Sequence, residues 1–157
     1  MKRLSQFEKR FEPIDFLVLP DYSTFSNLPL WQQKEAVGKI ALCGAFCKRF
    51  STKAILPNVP FGKPSSFEFC TEWLEEGTDL FINVAGMVRE KEDRYNTQQF
   101  IKYLVDNIKP RLIVAYTYSN RKSNERLFEY AVKNSVKVWV PNNWFLKLHK
   151  KESNYFI

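Results

Sequence analysis

Phe16-Leu17-Val18-Leu19-Pro20-Asp21 is a run of four apolar residues that meets a proline and turns polar at once. A continuous apolar run of this length reads as a strand buried on both faces. Proline ends it, because it has no N–H to give to a neighbouring strand. The same phrase recurs in Ala54-Ile55-Leu56-Pro57-Asn58 and in Val136-Lys137-Val138-Trp139-Val140-Pro141-Asn142. Two further strands, Leu80-Phe81-Ile82-Asn83 and Leu112-Ile113-Val114-Ala115-Tyr116-Thr117, end in polar groups without a proline. A parallel sheet carries its ligand groups at the carboxyl ends of its strands. Five such ends therefore predict one polar rim.

The segments between these runs have helical spacing. Pro29 fits the first turn of a helix from about Leu30 to Arg49. Ala36, Ile40, Cys43 and Cys47, with Val37, Ala41, Gly44 and Ala45 beside them, recur at three- and four-residue steps. Gly38, Ala41, Gly44 and Ala45 make part of this helix thin, which predicts a close neighbour. Ser65 with Glu68 reads as a capping box for a helix carrying Phe69, Cys70, Trp73 and Leu74 and ended by Gly77. The charged run Arg89–Arg94 reads as a solvated loop or lid, and Asn96 with Gln99 can cap a helix holding Phe100, Ile101, Leu104 and Ile108. A last helix, capped by Ser123 or Asn124, would turn Leu127, Phe128, Ala131 and Val132 inward.

Strand and helix alternating four times over predict an α/β domain of about five mostly parallel strands. The expected architecture is an open three-layer sheet, with a partial TIM-barrel-like arrangement as the alternative. The chain reads as a single domain over 1–157, with a possible arm at 1–13 and a basic aromatic tail at 144–157.

A length of 157 residues is enough for a core without staples. The formal charge is +7, from 24 basic against 17 acidic residues, which favours an acidic partner such as nucleic acid. No apolar run approaches the ~20 residues of a membrane span, and no secretory pattern opens the chain. Cys43, Cys47 and Cys70 have no disulfide-framework spacing and no fourth partner for zinc, so they read as small core residues. The expectation is a cytoplasmic protein with free thiols, no membrane partner, no metal and no cofactor. His149 is the only histidine, which argues against triads, two-histidine nucleases and zincins.

Asp21 is the only carboxylate among the strand-end groups, and is the candidate base, with Tyr116 and Tyr118 as helpers. Ser23, Asn58, Asn83, Asn142 and Asn143 are candidate binding groups: asparagine is neutral and suits a base edge, a sugar or a peptide. That balance favours recognition over hydrolysis. Ser119, Arg121 and Lys122 precede a helix with the hydroxyl and cations that a phosphate needs, although no glycine-rich P-loop is present. In the tail, Trp144, Phe145 and Leu148 share one side and suit helix docking, or stacking on nucleic acid.

Pro20-Asp21-Tyr22-Ser23, then Ser66-Phe67-x-Phe69-Cys70 with Trp73-Leu74-x-x-Gly77, then Ile108-Lys109-Pro110-x-Leu112-Ile113-Val114-x-Tyr116, resemble a known family over roughly residues 14–118. It is a domain-of-unknown-function family of phage, prophage and mobile-element proteins in Gram-positive bacteria. The resemblance implies an α/β fold and a phage or mobile-element origin, supplies no catalytic residues, and implies that the usual amino-terminal part is lacking. The expected function is binding of nucleic acid or a nucleotide-like anion at the rim. The alternatives are a nucleotide- or phosphoester-processing enzyme using Asp21, and a protein that inhibits a host or defence factor.

Overall fold

The computed structural model describes residues 16–25, 27–50, 54–141 and 154–157. The arm at 1–13 and the tail residues 144–153 lie outside the described residues. Strand β1 (Phe16–Val18) leads to helix α1 (Leu30–Phe50), then β2 (Ala54–Leu56). A 3₁₀ turn at Pro64–Ser66 runs into the short α2 (Phe67–Thr71), followed by β3 (Leu80–Asn83), α3 (Lys91–Asn107) and β4 (Leu112–Tyr116). Helices α4 (Arg121–Leu127) and α5 (Glu129–Lys133) precede β5 (Lys137–Val140) and β6 (Tyr155–Phe156).

β1 pairs with β2, β3 with β4 and β4 with β5, all parallel, and β6 joins β5 antiparallel. The β1–β2 pair meets β3 through one bridge, Asn58 to Phe81. Two backbone bonds hold it, Phe81 N–H to the Pro57 carbonyl at 2.8 Å and Val59 N–H to the Phe81 carbonyl at 3.0 Å. The strands thus follow one another in sequence order without a reversal. The predicted α/β class with mainly parallel strands is what the chain adopts.

Register decides the layering. Side chains alternate faces along a strand. Leu80, Ile113 and Val138 stand side by side across β3, β4 and β5. They share a core with Phe100, Ile101 and Leu104 of α3, Leu127 of α4, and Phe128 and Ala131. Leu17 and Ile55, neighbours across β1 and β2, pack with Leu19 against Ile40 and Cys47 of α1. These contacts lie on one face, so the described helices cover one side of the sheet. This is the layering of the partial-barrel alternative, and it differs from a three-layer sheet because no strand reversal sends a helix to the other side. The opposite face is concave. The rings of Phe16 on β1 and Trp139 on β5 lie 5.8 Å apart, edge to face. In a flat sheet those strands would be about 19 Å apart, four strand spacings. The sheet therefore curls, without closing into a barrel.

Several local expectations are corrected. Helix α3 starts at Lys91, so most of the charged run is helix rather than loop. The Ser65 capping box does not form. Ser66 instead accepts from the Gly62 N–H at 2.9 Å and donates to the Lys63 carbonyl at 2.8 Å, and Pro64 starts the 3₁₀ turn ahead of the helix. Helix α2 stops at Thr71, whose hydroxyl donates back to the Phe67 carbonyl at 2.9 Å. Asn120, not Ser123 or Asn124, caps α4. Val132 faces solvent rather than the core. Gly44 meets a close neighbour, since a Cβ there would sit 3.0 Å from a Leu19 methyl, but Gly38 does not, having open space where a Cβ would go. Cys43, expected in the core with Cys47 and Cys70, is only half-buried.

Candidate functional site

The rim begins where the ladder ends. Leu19 N–H makes the last β1 bond, to the Leu56 carbonyl at 3.0 Å, and Pro20 then offers no donor. Asp21 and Ser23 follow, exposed. Asn58 bridges Phe81, so it shares a face with Phe81 and, two residues on, with Asn83. Asn83 stands opposite Tyr116. The curl of the sheet brings these groups to one place.

Asn83 Nδ2 donates to Asp21 Oδ2 at 3.0 Å, and its Oδ1 accepts from the Ala85 N–H at 3.0 Å. The amide is held at both ends and fixes the carboxylate. Ser23 Oγ reaches Asp21 Oδ1 at 3.4 Å, a long bond. A cavity of about 290 Å³ opens beside them, lined by Asp21, Ser23, Thr24, Phe25, Asn58, Phe61, Asn83 and Met87 among others. Among the described lining residues there is no lysine or arginine. One carboxylate, two amides and hydroxyls against apolar walls suit a ligand that donates hydrogen bonds and has a flat apolar surface.

Thr24, itself in the lining, neighbours the buried Cys70. Burial pushes the Cys70 thiol up to about 12, and the Ser66 and Thr24 hydroxyls oppose the rise. The Thr24 contact is loose: Oγ1 satisfies no hydrogen-bond geometry and is buried without a partner.

At the end of β4 the phenols of Tyr116 and Tyr118 meet at 3.4 Å. That hydrogen bond, then burial, pushes Tyr116 up to about 12, so it stays protonated at neutral pH. The loop beyond is stitched by buried Asn124. Its Oδ1 accepts from Thr117 Oγ1 at 3.2 Å, and its Nδ2 donates to the Ser119 carbonyl at 3.2 Å and to Tyr155 Oη at 2.7 Å. Asn120 Oδ1 accepts from the Ser123 N–H at 2.9 Å. Arg121 pairs with Glu125 at 3.1 Å and lies over the Tyr155 ring at 5.3 Å. Lys122 is exposed.

The structure thus gathers Asp21, Ser23, Asn58 and Asn83 around one cavity and sets Tyr116 beside Asn83. Ser119, Arg121 and Lys122 do not line it. Asn142 and Asn143 lie outside the described residues. Sequence reasoning missed Phe25, Phe61 and Met87 as walls, since apolar loop residues carry no signature. It also missed Arg94, whose guanidinium bonds span the β3–α3 loop and α4.

A larger cavity, about 990 Å³, opens at the opposite end of the sheet. There Lys109 pairs with Glu76 at 2.8 Å and Arg111 with Asp79 at 3.1 Å, so its charges offset one another. Among the described residues no group of three or more metal-ligating side chains occurs, and no helix is long and apolar enough to cross a membrane.

The fold and the rim define a parallel α/β domain of the kind that presents a ligand site at its strand carboxyl ends. A family model described as Domain of unknown function (DUF4417) matches residues 4–134. The chain belongs to this family. It is 25% identical over 107 residues to the Gene 1 protein of Mycobacterium phage L5. It is 26% identical over 107 residues to the Gene 1 protein of Mycobacterium phage D29. Each match covers 68% of this chain, but only 46% and 39% of the two relatives. The chain therefore spans less than half the length of the curated relatives it matches. No solved structure matches it. These findings agree with the phage-type resemblance read from the sequence.

Proposed function

We propose that this phage-type protein binds nucleic acid or a nucleotide at the rim, with a base or sugar in the cavity. The observation that carries the reading is the Asp21 carboxylate, fixed by Asn83 at 3.0 Å over a cavity that Asn58 also lines. A carboxylate accepts from ring and amino N–H groups, and an amide both donates and accepts, which is what a base edge needs. Phe25 at the cavity is 59% exposed, ready to stack on a base. Thr24 adds a buried hydroxyl without a partner to the wall. The +7 formal charge favours an anionic strand overall. The absence of cations from the described lining assigns the phosphates to the outside of the cavity.

The enzymatic alternative, with Asp21 as base and Tyr116 or Tyr118 as helper, draws less support because Asp21 is the only titratable side chain in the described lining. Binding of labelled single- and double-stranded oligonucleotides, titrated in salt, tests the proposal. Asp21→Ala and Asn58→Ala should each weaken binding about tenfold, the loss of one hydrogen bond to a charged group or of a buried pairing. Unchanged affinity in both would remove the cavity from the reading.

A second reading has its own surface. Leu30, Trp31 and Leu42 of α1 are 55%, 64% and 71% exposed, which suits a partner protein such as a host factor. If Trp31→Ala and Leu42→Ser abolish a purified host complex while oligonucleotides fail to bind, that reading replaces the first.

A further inference from the structure

We propose that Arg94 forms a phosphate subsite beside the rim cavity and takes the phosphate of the nucleotide or strand whose base enters it. The inference rests on the cavity reading above and names the residue that would carry the anion.

Arg94 is half-buried in the first turns of α3. Its Nη2 donates to the Val88 carbonyl and to Ser123 Oγ, each at 3.3 Å. Both acceptors are neutral. Among the described residues no carboxylate forms an ion pair with it, although Glu90, Glu92 and Asp93 lie in the same run. The described cations that hold a carboxylate, among them Lys102, Lys109, Arg111, Arg121 and Lys133, are all exposed, whereas Arg94 is half-buried. A half-buried guanidinium without a counter-charge is poorly stabilised. The two bonds hold it by Nη2, and a guanidinium has five N–H donors in a fixed fork. That fork matches a phosphate.

Position gives the subsite its purpose. Val88 follows Met87, which lines the cavity, and the Met87 carbonyl is itself held by Thr97 Oγ1 at 3.2 Å. The guanidinium is therefore anchored one residue from the cavity wall. On its other side exposed Lys122 precedes Ser123 in the chain. No helix terminus is invoked, since Asn120 occupies the Ser123 N–H.

The test uses the full chain with Arg94→Gln and Arg94→Lys. Ligands are nucleosides, the matching nucleoside 5′-monophosphates, a labelled single-stranded oligonucleotide in a salt series, and inorganic phosphate followed by ³¹P line broadening. Arg94→Gln should weaken the phosphate-bearing ligands about tenfold or more, the scale of a charge-assisted hydrogen bond. Nucleoside affinity should hold, and the salt slope should fall by about 0.7 for one lost contact to a single strand. Arg94→Lys should restore part of the affinity. Equal losses for nucleosides and monophosphates would make Arg94 a structural residue and overturn the subsite while the cavity reading stands. If the parent binds no nucleoside, the cavity reading fails. The subsite is then upheld by phosphate broadening that Arg94→Gln removes, and overturned by broadening that it leaves.

Discussion

The β1–α1–β2 unit and the β3–α3–β4 unit are built on the same strand–helix–strand plan, but they bury themselves differently. Helix α3 sends Phe100, Ile101, Leu104 and Val105 into one large core shared with three strands and three more helices. Helix α1 is longer, yet its described buried side chains are Val37, Ile40 and Cys47, split between two small clusters. Among the described residues one β-bridge, Asn58–Phe81, joins the strands of the first unit to those of the second, with the Asp21–Asn83 bond and the Phe16–Trp139 ring contact beside it. The candidate site straddles this seam, with Asp21, Ser23 and Asn58 from the lighter unit and Asn83 and Tyr116 from the heavier. Binding groups on a less anchored element can adjust to a ligand while the opposing wall holds still.

The contrast can be broken by mutation. Phe100 is fully buried and stacks on Phe61 at 4.3 Å. Phe100→Ala should cost about 3–5 kcal/mol in denaturant unfolding and weaken the whole domain. Ile40→Ala should cost about 2 kcal/mol, the low end for its class, because a small cluster can collapse around the gap. Hydrogen exchange should show β1, β2 and α1 amides opening at lower free energy than those of β4. Equal protection across the bridge would refute the division.

Alkali probes the two sides through Cys70, which packs with Val37 of α1, and Tyr116 at the end of β4. The Cys70 thiol rises from 9.0 to about 12 by burial, and the Tyr116 phenol from 10.0 to about 12 by its bond to Tyr118 and burial. Raised native values mean that the native state keeps its protons longer than the unfolded chain, so stability falls with rising pH. Each contribution is whole below the unfolded value. It is lost from pH 9.0 to about 12 for Cys70 and from pH 10.0 to about 12 for Tyr116. Cys70→Ala should flatten the fall in Tm that begins near pH 9.0. An unchanged slope would rule out the buried thiol as its source.

The finest comparison lies within α1. Gly38 has open space where a Cβ would go, while Gly44 faces the buried Leu19 methyl at 3.0 Å. Gly38→Ala should stabilise by about 0.5–1 kcal/mol, the ordinary gain of alanine in a helix. Gly44→Ala should forfeit that gain. Thermal melts giving the same increase for both would show that α1 does not press on β1.

Strands β1 to β5, the parallel class and the polar ends were legible along the chain, because apolar runs ending in proline or polar groups are a local signal, whereas β6 lay within what read as a tail. The small-residue and cysteine readings held in part: Gly44 is a close approach and Gly38 is not, and Cys47 and Cys70 are core while Cys43 is half-buried. What the sequence left open depended on contacts far apart in the chain. The same strand–helix repeat fits a reversed or an unreversed strand order, and only the pairings Asn58–Phe81 and Phe16–Trp139 decided for a curled sheet with its helices on one face. The Asp21–Asn83 bond spans 62 residues, and the Arg94–Ser123 bond spans 29. Nothing at either end announces the other, so side chains that looked alike in the sequence were sorted into cavity wall, cap or surface pair only when the chain closed on itself.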